Sequence, residues 1–282
     1  MSGPPQASAP IGMFDSGLGG LTVLRRLRER LPNESILFVA DQAHVPYGGR
    51  DLEEIRGFAC GISAALLEAG CKAVVMACNI SSATGLDAVQ KTYPDTLALG
   101  VILPGADAAV RQTCNGRIGV LATEGTVRSG AYTRALTALS AHISVTEIAC
   151  PKFVPLVEAS RESSLEAFAT AQEYLAPLAV ARVDTVILGC THYPFLLPVL
   201  LSIAPELTFI DPASVTIASL SVGLSASGLS APPPSACPTL RLITTGNVTA
   251  FSEQLLRFLP DMPANVQIAS AFWIDGTLRF TE

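Results

Sequence analysis

The chain has 282 residues, 49% of them hydrophobic and 15% charged, and carries a formal net charge of −6. That is enough apolar material for one large or two medium domains, and it excludes a disordered chain. An acidic balance without a basic cluster argues against nucleic acid, and no apolar run reaches membrane-spanning length without Asp, Pro, Gly or Ser breaking it, so neither partner is expected.

Residues 1–10 lack the basic and apolar regions of a signal peptide and read as a short disordered tail, which makes a cytoplasmic protein the expectation. Strand Ile11–Phe14 then runs into the turn Asp15-Ser16-Gly17-Leu18-Gly19-Gly20, and an amphipathic helix follows from about Leu21 to Leu31, stopped by Pro32. A strand at Ile36–Ala40 leads to a long loop, Asp41–Arg50, and a helix over about Leu52–Ala69 closes on Gly70. After strand Val74–Cys78, Ser81-Ser82 reads as the cap of a helix reaching about Thr92, and strand Leu97–Leu103 is ended by Pro104-Gly105.

The pattern then restarts. A helix at Ala106–Thr113 and a strand at Arg117–Leu121 lead into a turn over 122–126, with a helix from near Ser129. Ile143–Ile148 is a strand, Cys150–Pro155 a loop, and Leu165–Ala181 a helix containing Pro177. Strand Val186–Cys190 is followed by a helix opened by Pro194, a strand at Thr208–Ile210, and a helix from Ser214 to about Leu224 with Ser214 as its cap. The Ser- and Pro-rich stretch 225–238 reads as a surface connection; a strand at Arg241–Thr245, a helix at Thr249–Leu259 and a tail with the one tryptophan, Trp273, complete the chain.

Strands alternating with helices predict an α/β fold: two pseudo-symmetric lobes, each with a mainly parallel sheet flanked by helices, and a site in the cleft between them. The expected division is 11–101 plus 210–282 for one lobe and 102–209 for the other. A weak internal repeat supports two lobes. Ile11-Gly12 recurs as Ile118-Gly119, 107 positions on, and Cys78 recurs as Cys190, 112 positions on.

Both cysteines end apolar runs, Val74-Val75-Met76-Ala77-Cys78-Asn79 and Val186-Ile187-Leu188-Gly189-Cys190-Thr191-His192, and each is expected as the last residue of a buried parallel strand. Ligands of open α/β sheets bind at the carboxyl ends of the strands. The unusual polar residues fall there: Asp15 and Ser16; Cys78, Asn79 and Ser81; Thr123 and Thr126; Cys190, Thr191 and His192. Helix N-termini at such turns attract carboxylates and lower thiol pKa values, so both cysteines are expected to be poised as thiolates. Two thiols on opposed lobes suit removal of an α-proton on one face and its return on the other, one starting as thiolate and one as thiol. The remaining cysteines (Cys60, Cys71, Cys114, Cys150, Cys237) are scattered without a C-x-x-C pair and read as free structural thiols; His44 and His142 read as surface residues.

These residues resemble the glutamate racemases of the aspartate/glutamate racemase superfamily over about Ile11–Phe258. The motifs are Phe14-Asp15-Ser16-Gly17-x-Gly19-Gly20-Leu21-Thr22, Val45-Pro46-Tyr47-Gly48, Ala77-Cys78-Asn79, Gly125-Thr126-Val127-x-Ser129, Cys150-Pro151-x-Phe153-Val154-Pro155-Leu156-Val157-Glu158 and Gly189-Cys190-Thr191-His192-Tyr193-Pro194. The resemblance implies cofactor-independent interconversion of L- and D-glutamate, with the D isomer going to peptidoglycan, by a homodimer. It implies that Cys78 acts on D-glutamate with Asp15 assisting, and Cys190 on L-glutamate with His192 and Glu158 assisting. Ser16, Pro46, Tyr47, Gly48, Gly49, Asn79, Ile80, Thr123, Thr126 and Thr191 would line the substrate pocket. Two positions depart from the pattern: Ile80 stands where the family has a threonine that donates to the substrate carboxylate, and Gly49 where it often has a polar residue. One lost hydrogen bond to a charged group is worth about 1.5–3 kcal/mol, which weakens binding without abolishing chemistry. Other readings stay open: the same fold acting on another amino acid or dicarboxylate, a thiol hydrolase using Cys190 and His192, or a catalytically weakened glutamate-binding paralogue.

Overall fold

The structure is a computed structural model that describes residues 6–233, 237–263 and 266–281. Residues 1–5 of the expected disordered tail lie outside the described residues. The first part of the chain supplies β1 (Ile11–Asp15), α1 (Leu21–Arg30), β2 (Ile36–Ala40), α2 (Leu52–Glu68), β3 (Ala73–Met76), α3 (Asn79–Thr92) and β4 (Leu97–Gly100). The middle supplies α4 (Ile102–Gln112), β5 (Arg117–Ala122), α5 (Glu124–Ser129), α6 (Ala131–Leu139), β6 (Ser144–Ala149), α7 (Phe153–Glu158), α8 (Leu165–Val180), β7 (Thr185–Gly189), α9 (Leu197–Ile203) and β8 (Thr208–Ile210). The chain ends with α10 (Pro212–Ala226), β9 (Leu240–Thr244), α11 (Val248–Phe258), β10 (Gln267–Ile274) and β11 (Thr277–Phe280).

Two sheets form, as the alternation predicts. One has seven strands in the order β11-β10-β9-β2-β1-β3-β4, parallel except for the last hairpin pair, and the other has four parallel strands in the order β6-β5-β7-β8. The orders 2-1-3-4 and 6-5-7-8 are the same pattern, so the repeated Ile-Gly pairs open equivalent central strands and the two cysteines follow equivalent neighbours, β3 and β7. In each sheet the chain passes to one side of the first strand and then crosses to the other. The crevice at that reversal is where open α/β sheets bind ligands. Apolar residues cover both faces of the larger sheet: Ile11, Met13 and Phe38 pack on one side, Phe14, Val39 and Met76 on the other against Ile62 and Leu66 of α2. Such two-sided burial is why the strands read as continuous apolar runs. No described helix is long and apolar enough to cross a membrane.

Several local expectations are corrected. The strands end at Met76 and Gly189, so Cys78 and Cys190 stand beyond them in the turns. Helix α3 starts at Asn79 with Cys78 at the N-cap position, so Ser81 and Ser82 lie inside its first turn and cap nothing. Ser82 Oγ instead donates to Met76 O at 2.8 Å and accepts from Val101 N. Pro104 does not end a strand; it sits in the first turn of α4, where a missing N–H costs nothing. Two turns expected as loops are short helices, α5 capped by Thr123 and α7 over Phe153–Glu158. Between α5 and α6 the chain turns at Gly130 with φ 62°, the left-handed conformation that glycine adopts without strain. Helix α10 is capped by Asp211, not Ser214, with Pro212 at the first helical position. The tail carrying Trp273 is the hairpin β10–β11, and residues 234–236 of the connection lie outside the described residues.

Candidate active site

A cleft of about 400 Å³ opens at the carboxyl ends of both sheets, within the size range of small-molecule pockets. From the turn after β1 it takes Ser16; from the segment after β2, Pro46, Tyr47, Gly48 and Gly49; from the start of α3, Cys78, Asn79 and Ile80. The other side supplies Thr123 and Thr126 of α5, Glu158 of α7, and Cys190, Thr191 and His192 after β7. Every lining residue expected from the sequence is therefore brought to one cavity. Asp15, the exception, is fully buried beneath it.

Asp15 joins the two halves. Its Oδ1 accepts the Gly17 N–H at 3.2 Å and its Oδ2 accepts the Thr191 hydroxyl at 3.3 Å. Thr22 of α1 adds a second tie, its hydroxyl reaching Gly19 O at 2.8 Å and Thr191 O at 3.2 Å. The two segments approach so closely that a Cβ on Gly19 would overlap Thr191 Oγ1 and lie 2.5 Å from His192 Nδ1. The missing side chain at Gly19 thus lets the two halves meet at this turn. Burial pushes the Asp15 carboxyl above the usual range, and the positive side of His192 opposes this.

The Cys78 thiol lies 3.9 Å from the Ser16 hydroxyl. As the N-cap residue of α3 it meets the N–H of Ser81, which favours the thiolate, and so does the Ser81 hydroxyl, a buried group with no oxygen or nitrogen partner among the described residues. These donors lose to burial and to the nearby Asp15 charge, and the thiol is pushed up to about 11. Burial likewise holds Cys190 well above its ordinary 9.0. The expectation that helix N-termini poise both cysteines as thiolates is overturned: desolvation is the larger effect on each. Cys190 is also not the N-cap of an α-helix: a short 3-10 turn, Tyr193–Leu196, lies between it and α9.

The two thiols have different titratable neighbours. Cys190 Sγ is 3.8 Å from His192 Nδ1, and His192 Nε2 faces Glu158 Oε1 at 3.4 Å without the alignment of a hydrogen bond. The three groups form a line from thiol to imidazole to a half-exposed carboxylate. On the other side, Cys78 has Ser16 and, within electrostatic reach, Asp15.

Polar groups of the cleft are also fixed in place. Asn79 is held by the buried Tyr132, whose hydroxyl donates to Asn79 Oδ1 at 2.7 Å. Thr123 caps α5, and its hydroxyl is 3.0 Å from that of Thr126. Ile80 points into a small apolar cluster with Tyr47, Ile55 and Cys78, so at this position the wall of the cleft is apolar. Gly49 has open space where a side chain would stand. Among the described lining residues none is lysine or arginine, which leaves N–H groups and hydroxyls to meet an anion. Sequence reasoning missed Glu124, Cys150 and Val154, which also line the cleft. Cys150 and Val154 fall in a motif noted above, but nothing in that motif marks which side chains face the cavity. His44, expected at the surface, stacks on Phe58 with ring centroids 3.9 Å apart.

The Asp/Glu/Hydantoin racemase family profile matches residues 14–220. A glutamate racemase of Corynebacterium diphtheriae is 41% identical over 261 residues, covering 92% of this chain and 97% of that protein. The crystal structure of glutamate racemase isoform RacE1 from Bacillus anthracis superposes with a TM-score of 0.89 at 34% identity, over 96% of this chain and 100% of that one. That of the Francisella tularensis glutamate racemase in complex with D-glutamate gives 0.86 at 31% identity, over 94% and 98%.

Proposed function

The chain belongs to the Asp/Glu/Hydantoin racemase family, among its glutamate racemases, and from that premise we propose that it interconverts L- and D-glutamate by a two-thiol mechanism. The observation that carries this reading is the pairing of Cys78 and Cys190 in one cleft, Cys190 beside His192 and Cys78 within electrostatic reach of Asp15.

Glutamate lies between the thiols with its α-carbon facing both. Its carboxylates are met by the N–H groups at the start of α3, by Asn79 and by the Thr123, Thr126 and Thr191 hydroxyls. Both thiols rest protonated, so the first step is loss of one thiol proton. For L-glutamate, His192 takes the proton of Cys190, Glu158 supports the imidazolium, and the thiolate removes the α-proton. Cys78 then delivers its own proton to the opposite face, and its thiolate is left to be reprotonated. For D-glutamate the roles reverse, with Asp15 assisting Cys78. A buried, partly apolar cleft strengthens the donors that hold charge on the carbanion. Closure between lobes 11–101 with 210–282 and 102–209 excludes water during this exchange. Of the two groups that could replace the hydroxyl lost at position 80, the N–H of Ile80 borders the cleft, whereas Ser81 is fully buried. We place the enzyme in the cytoplasm as a homodimer supplying D-glutamate to peptidoglycan.

The test is NMR of each glutamate enantiomer incubated in D2O with wild type, Cys78→Ala and Cys190→Ala. Wild type is expected to put deuterium on the α-carbon and form the opposite enantiomer, and both variants to lose net racemisation. Absence of exchange in wild type overturns the assignment.

A further inference from the structure

One buried carboxylate outside the cleft is bound on all sides. Asp41 follows β2 and is fully buried. Its Oδ2 accepts the Tyr47 hydroxyl at 2.5 Å and His44 Nδ1 at 2.8 Å, which requires the tautomer protonated at Nδ1. Its Oδ1 accepts the Thr245 hydroxyl at 2.8 Å and the Trp273 indole N–H at 2.9 Å. A carboxylate offers about four lone-pair sites, so its capacity is filled. The donors come from distant parts of the chain: the segment after β2, the end of β9 and strand β10. Of the four, only Tyr47 lines the cleft. The backbone N–H of Asp41 also donates to the Asp15 carbonyl at 3.0 Å.

Aromatic rings enclose this carboxylate. Trp273 approaches Phe58 at 5.6 Å and His44 at 5.4 Å between centroids. It lies over α2 at Gly61, where a Cβ would stand 2.8 Å from the indole. On the cleft side Tyr47 packs with Cys78 and Ile80. Its neighbour Gly48 reaches across to α5, close enough that a Cβ on Gly125 would lie 2.9 Å from Gly48 O. Apolar packing could hold such a loop more cheaply than a desolvated carboxylate does. What the carboxylate adds is a fixed direction for each donor.

We propose that Asp41 is a positioning residue for the reaction. It sets the Tyr47 hydroxyl, and with it the Pro46–Tyr47–Gly48 wall against Cys78, and through Trp273 the C-terminal hairpin holds that wall in register. The kinetic test rests on the glutamate reading; a ligand-free test does not.

Asp41→Asn keeps the shape but turns one acceptor oxygen into a donor. Its KM for glutamate should rise about tenfold while kcat changes by less than about threefold. Trp273→Phe should move KM in the same direction although Trp273 does not line the cleft. Asp41→Asn and Tyr47→Phe should be non-additive in a double-mutant cycle. Trp273 is the only tryptophan, so its quenching by acrylamide reads the network directly and should increase in ligand-free Tyr47→Phe. A lowered melting temperature with unchanged KM and additive effects would overturn the proposal. If Asp41→Asn does not fold, unchanged KM in the other two variants together with unchanged quenching overturns it. A wild type inactive on glutamate would defeat the functional reading, leaving quenching to decide the Asp41–Tyr47–Trp273 linkage.

Discussion

The resting state of Cys78 can be measured directly. Two effects oppose each other at this thiol. The start of α3 favours the thiolate by up to about 2 kcal/mol in the best buried geometries. Burial and the Asp15 charge favour the thiol and raise it from 9.0 to about 11 even with the helix donors in place. At pH 8 a thiol at 11 is about 0.1% ionised, against about 10% for one at 9.0, so alkylation should be about 100-fold slower than for an ordinary cysteine. The assay is iodoacetamide labelling across pH in the Cys190→Ser background, with the Cys78 peptide followed by mass spectrometry. The exposed Cys114 and Cys237 serve as internal references. Replacing Asp15 with Asn removes one of the raising charges, so labelling of Cys78 should accelerate at fixed pH. Linkage gives the matching stability effect. Because the folded state holds this proton more tightly than the unfolded one, the stabilisation, a few kcal/mol in size, is complete below pH 9 and lost as pH rises to about 11. A Cys78 that titrates at or below 9 would refute the reasoning and show that the helix terminus wins.

Three further outcomes are expected. Gly19→Ala should cost about 1–3 kcal/mol of stability and about 100-fold or more in turnover, because the new methyl collides with Thr191 and His192; an undiminished rate would show that the two segments separate freely. His192→Asn should slow α-deuteron exchange from L-glutamate about 100-fold and affect exchange from D-glutamate less, and equal slowing of both would contradict its pairing with Cys190. Glu34→Ala should destabilise the protein by about 3–5 kcal/mol in urea unfolding, since it strands the fully buried Lys72 ammonium, which lies 2.5 Å from Glu34; a loss below 1 kcal/mol, of the order of an exposed pair, would show that water reaches the site.

The alternation of strands and helices, the two-lobed α/β class and many of the residues facing the cleft, though not Glu124, Cys150 or Val154, were legible in the sequence alone. The reason is physical. Strands buried on both faces must be apolar throughout, so polar residues at their carboxyl ends stand out, and a duplicated pattern shows up as a duplicated cysteine. Tertiary structure decided what those residues do to one another. Which residue caps α3 depends on where the chain leaves β3, and that moved the helix start from the serines to Cys78. The protonation of the thiols depends on how deeply the lobes bury them, and burial reversed the shift that the helix termini alone predict. Likewise, Tyr132 behind Asn79 and Trp273 behind Asp41 are separated from their partners by 53 and 232 positions. Local sequence fixes turns and periodicity, whereas these contacts exist only because distant segments are folded against each other, so no spacing along the chain could reveal them.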